Sequence, residues 1–102
     1  MEKFGLIGKL IAAPGKRDEL AAILMEASAA AKDFEGCCLY AVHVDDQDPD
    51  GVWVTEVWRD EAAHRASLQL ESTQAVIARG RPLIAGFGEH KKLRTLGGWG
   101  LS

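Results

Sequence analysis

The sequence is poor in the residues that most often announce a function. Only two cysteines occur, Cys37 and Cys38, and they are adjacent. Neighbouring side chains on a strand point to opposite faces, so a disulfide between them is not expected. Nor do they offer metal-ligand spacing. The three histidines, His43, His64 and His90, form no HxH or HxxxH pattern, and no metal site is read. Basic residues are in the minority, 12 against 15 acidic, for a net charge of −3. The nearest basic cluster is Lys91, Lys92 and Arg94, with Arg79 and Arg81 upstream, which argues against nucleic acid as a partner. No apolar run approaches the ~20 residues of a membrane span. The first residues, Met1 to Phe4, lack the apolar core of a signal peptide. A reducing cytoplasm is therefore the expected location. Gly5 and Gly8 make no phosphate-binding loop, because no GxGxxG opens a helix.

What remains is an ordinary globular composition: 102 residues, 47% hydrophobic and 26% charged. That is room for a single domain, residues 1–102. Phe4 to Ala12 reads as a strand, with Phe4, Leu6 and Leu10 on one face and Ile7 and Ile11 on the other. Pro14-Gly15 ends it and opens a helix over Arg17 to Phe34. There Leu20, Ile23, Leu24, Ala27 and Ala31 form an apolar stripe, and Gly36 is the expected stop. Cys37 to Asp45 and Val52 to Arg59 read as a hairpin around Asp46 to Gly51, a run of turn residues. Asp60 is a candidate N-cap for a short helix to about Leu70. Ser72 is a candidate cap for a further helical stretch, broken by Gly80 and Pro82. Phe87 to Leu96 is the last strand.

The order strand, helix, strand, strand, helix, strand predicts an α+β fold of the ferredoxin-like βαββαβ kind, both helices on one sheet face. Yet the strands are apolar on both sides. Trp53 and Val57 oppose Val52, Val54 and Trp58. A bare apolar sheet face calls for a partner, and a second copy related by a two-fold axis is the simplest, giving a homodimer.

Several segments carry a resemblance. Pro14-Gly-Lys-Arg-Asp-Glu-Leu20 resembles the "PGxxxEL" entry to the first helix in the antibiotic biosynthesis monooxygenase family. Gly36-Cys-Cys-Leu-Tyr40 is similar to its "GCLxY" strand. Glu56-Val-Trp58 followed by Asp60-Glu-Ala-Ala resembles its "EEWxSxEA" passage into the second helix, and Arg81-Pro-Leu-Ile84 the end of the helical region in some members. The resemblance spans nearly the whole chain. It implies a dimeric α+β barrel. It also implies a metal- and flavin-free oxygenation of a quinol-like or polyketide-like aromatic, with dioxygen as the other reactant. Some members degrade haem. The chain differs from the family pattern in identifiable places. Ser67 and Ser72 occupy the positions of the "AHLxSPHF" histidines, asparagine is absent throughout, and the helical position near Ile77 is apolar. These departures give weight to a second reading, a non-catalytic aromatic-ligand-binding or stress-related dimeric α+β barrel protein.

The candidate residues follow. His64, one helical turn before Ser67, is the candidate catalytic group, because histidine exchanges a proton near neutral pH. A surface or capping histidine is the plainer alternative. Trp58 is a candidate stacking surface for a flat substrate, or simply core. Tyr40 is a candidate hydrogen-bond donor to a substrate oxygen. Ser67 joins them as a candidate substrate contact. Glu56 shares a face with Trp58 and, if interior, is expected either to pair with a residue such as Arg59, Arg79 or Arg81 or to have a raised pKa, the structural salt bridge being the plainer expectation.

Overall fold

The structure is a computed structural model and describes residues 2–101. The elements are β1 (Lys3–Ala12), α1 (Arg17–Ala31), β2 (Cys37–Val44), β3 (Gly51–Trp58), α2 (Glu61–Ser67), α3 (Glu71–Gly80) and β4 (Ile84–Thr95). The four strands form one antiparallel sheet in the order β2-β3-β1-β4. This is the expected βαββαβ fold, with the second helix divided into α2 and α3.

Three boundaries differ from the sequence reading, each for a local reason. The first helix stops at Ala31, and a turn carries the chain through Phe34, whose N–H is held by the Ala31 carbonyl at 3.0 Å. Gly36 therefore serves as the hinge into β2 rather than as a helix cap. Its φ of +83° suits glycine. A Cβ there would stand 2.7 Å from that of Ala63 in α2. The third helix begins after Leu70, two residues before Ser72, and Leu70 supplies no capping side chain. Pro82 follows the end of α3 at Gly80, where the sequence reading breaks the helix. It sits in a 3₁₀ turn, Arg81–Leu83, that leads straight into β4, which starts three residues earlier than its charge pattern suggests.

Register fixes the two sheet faces. Phe4, Leu6 and Leu10 lie opposite Trp58, Glu56 and Val52 on β3, and Tyr40 and Val42 lie opposite Glu56 and Val54. This face carries the helices. Its core joins Leu20 and Ile23 of α1 to Ala12, Val52 and Leu83. Ile7, Leu39, Trp53 and Leu93 lie on the other face, which carries no helix.

Candidate functional site

Core packing does not fill the space between helices and sheet. A cavity of about 480 Å³ lies over the inner sheet face, walled by α1, α2 and α3. Its lining is mostly apolar, with Leu24, Phe34, Leu68 and Val76 from the helices and Leu10 from β1. Phe87 stands at its edge and is 73% exposed. The volume lies within the range of small-molecule sites.

The polar groups are few and come from several sides: Tyr40, Glu56 and Trp58 from the sheet, His64 and Ser67 from α2, Ser72 and Thr73 from α3, and Glu26 from α1. Glu56 is central on β3, directly opposite Tyr40 on β2 and Leu6 on β1. Trp58, two residues along the same face, donates its Nε1–H to Glu56 Oε1 at 3.0 Å. The Trp58 side chain is only 1% exposed, yet its indole borders the cavity. Its near-complete burial is that of a core residue.

His64 projects from α2, whose start is fixed by Asp60. The Asp60 Oδ1 accepts the Ala63 N–H at 2.8 Å, as the capping expectation requires. The imidazole packs beside Phe4, with centroids 5.9 Å apart, and edge-on to Trp58 at 5.6 Å. Its Nε2 lies 3.9 Å from Glu56 Oε1. Desolvation holds its pKa below the ordinary histidine value, which favours the neutral ring.

Glu56 does not meet the expected arginine. Arg59 pairs with Glu35 and Asp60, and Arg79 forms a two-pronged pair with Glu26 across α1 and α3. Burial pushes the Glu56 carboxyl above the usual carboxylate range, while the Trp58 N–H pulls it down more weakly. The Tyr40 hydroxyl is pushed upward too, by burial and by the neighbouring Glu56, and stays protonated.

Ser67 lines the cavity and is buried, but its hydroxyl donates to the His64 carbonyl at 2.6 Å. Its proton is committed within the helix, and its hydroxyl oxygen is what it offers a ligand. Ser72 also lines the cavity. Thr73 was not legible as a site residue. Its buried Oγ1 has no hydrogen-bond partner among the described residues, and it too borders the cavity. No grouping of three or more His, Cys, Asp or Glu side chains suited to a metal occurs among the described residues. Both cysteines are unpaired thiols.

Residues 4–79 match the antibiotic biosynthesis monooxygenase family. The chain belongs to that family. The family's fold is shared with a crystal structure of a candidate antibiotic biosynthesis monooxygenase from Chloroflexus aurantiacus J-10-fl. That protein is 49% identical, with a TM-score of 0.90 over 98% of this chain and 99% of the other. A Pseudomonas aeruginosa protein is 26% identical, with a TM-score of 0.83 over 95% of this chain and 97% of that one. A Nitrosomonas europaea protein of unknown function is 26% identical, with a TM-score of 0.79 over 96% of this chain and 93% of that one. No curated protein matches the chain. Among the described residues no helix is long and apolar enough to cross a membrane.

Proposed function

We propose that this monooxygenase-family protein oxygenates a small quinol-like or polyketide-like aromatic with dioxygen alone, and that it works as a homodimer. The observation that carries the reading is the cavity itself: an apolar chamber of about 480 Å³ whose few polar groups include a carboxyl, an imidazole, a phenol and an indole. Such a chamber suits the chemistry. An electron-rich phenol or anthrone becomes a good one-electron donor to dioxygen once it loses a proton. The resulting radical pair recombines, and water leaves. With a simple quinol, each quinol and each dioxygen give a ring-hydroxylated quinone and a water. One oxygen atom enters the ring and the other leaves as water with two of the quinol's hydrogens, so atoms and electrons balance without a further reductant. The protein has to hold the ring, exclude water and manage protons.

In this reading Trp58 presents its indole to the ring, Tyr40 donates to a ring oxygen, Ser67 shapes the wall, and His64 exchanges a proton with the reacting system. The homodimer rests on the apolar residues of the helix-free sheet face, Ile7, Leu39, Trp53 and Leu93, the last 46% exposed.

Dioxygen consumption by metal-stripped protein with a panel of quinols tests the proposal. Uptake well above the uncatalysed rate is expected, falling roughly tenfold or more in His64→Ala, since a positioned acid–base group contributes about 10²–10⁴. Uptake no faster than buffer for both proteins removes the reading. If calorimetry then still shows aromatic ligands binding, the non-catalytic binding protein takes its place.

A further inference from the structure

We propose that Glu56 is the group that removes the substrate's activating proton, and that the Tyr40 hydroxyl is the donor available to the oxygen on which the charge settles. The inference deepens the monooxygenase reading and rests on it for the kind of substrate, though its test does not depend on turnover.

Three observations carry it. First, Glu56 is committed on one oxygen only. Its Oε1 accepts the Trp58 indole N–H at 3.0 Å, and Oε2 has no hydrogen-bond partner among the described residues. Second, among the described residues no lysine or arginine pairs with it, Arg59 and Arg79 being engaged elsewhere, and His90 acts on it only through its charge. A half-satisfied carboxyl in an apolar wall is costly unless something else completes its hydrogen bonding, and a substrate O–H does so. Third, its position is rigid. It lies on β3, which is held by β1 on one side and β2 on the other. His64 is placed differently. It is wedged between Phe4 and Trp58, with Nε2 directed at the same carboxyl. At 3.9 Å from the oxygen held by Trp58 it stands beside the carboxyl, outside direct hydrogen-bond reach of it.

The donor is equally specific. Tyr40 stands directly opposite Glu56 on the neighbouring strand, where paired side chains approach within about 5 Å at Cβ. Within the described residues its hydroxyl makes no hydrogen bond, and the residue borders the same cavity.

In the proposed step the substrate O–H bond of a quinol, or the acidic ring C–H bond of an anthrone, breaks. A new O–H bond forms at Glu56 Oε2. The electron pair left behind stays on the substrate, delocalised towards its ring oxygen. No electron is transferred at this stage, so no oxidant or reductant is consumed.

Anaerobic deuterium exchange at the acidic methylene of anthrone, followed by NMR, isolates that step from oxygenation. The wild-type protein is expected to accelerate exchange at least tenfold over buffer. Glu56→Gln keeps the size and the acceptor for the Trp58 N–H, and should abolish at least nine-tenths of the acceleration. Glu56→Asp draws the carboxyl back by one methylene and should exchange at an intermediate rate, which keeps the test decisive if the Gln variant does not fold. Wild-type exchange no faster than buffer overturns the proposal, as does either variant exchanging at the wild-type rate. Exchange that depends on Glu56, without dioxygen uptake from any quinol, would sustain the proton-transfer role and sink the monooxygenase reading alone.

Discussion

Glu56 carries a stability consequence as well as a chemical one. Burial raises its folded-state pKa, so the folded chain binds this proton more readily than the unfolded chain. Its contribution to stability is therefore greatest below the unfolded pKa and declines as pH rises through the folded one. The titratable groups that face it are His64 of α2, His90 of β4, and Tyr40 and Cys37 of β2. Glu56→Gln removes the cost of holding a buried charge. Its melting temperature is expected to match wild type near pH 4 and to exceed it near pH 8, by differential scanning calorimetry. A variant no more stable than wild type at pH 8 would mean that the carboxyl is better solvated than its surroundings indicate. Residues kept at such a cost are common at functional sites. Alternation in β3 put Glu56 on the Trp58 face, but only register shows that Tyr40 and Leu6, not an arginine, are its cross-strand neighbours.

At the scale of elements, the fold was readable wherever periodicity was strong. The stripe from Leu20 to Ala31 marks α1, and the Asp46–Gly51 turn run marks the hairpin, because these signals are local. The junctions were not legible. Helix α3 starts at Glu71 without a capping side chain, and β4 opens through a proline turn, both imposed by packing against α1 and β1. The site was legible only as a set of names. Tyr40, Trp58, His64 and Ser67 come from three different elements, and strand register brings them to one cavity. Thr73 left no sequence signal at all. The link between β2 and α2 is a point of weakness. Gly36 has positive φ, and its carbonyl holds the Arg59 N–H at 2.7 Å. Gly36→Ala places a methyl against Ala63 and forces an unfavourable backbone, at roughly 1–3 kcal/mol in all. The loss is read from urea denaturation, and dioxygen uptake should fall with it because α2 positions His64.

For the whole molecule, the helix-free sheet face is the surface that asks for a partner. A sheet with one face on a core and Ile7, Leu39, Trp53 and Leu93 on the other is unusual for a monomer in water. Sedimentation at micromolar concentration is expected to give a dimer, and Trp53→Glu to shift the population strongly towards monomer. A wild-type monomer at that concentration would remove the homodimer, and a dimer unaffected by Trp53→Glu would move the interface to another face.

The three tryptophans occupy three depths. Trp58 is sealed beside the cavity, Trp53 is half-covered on the outer sheet face, and Trp99 is fully in solvent. Their emission should separate accordingly, blue for the first and red for the last. The protein thus has built-in optical labels for separate events. Quenching of the blue component reports occupancy of the cavity, a change in the middle component reports the sheet face, and Trp99 serves as the reference against which both are read.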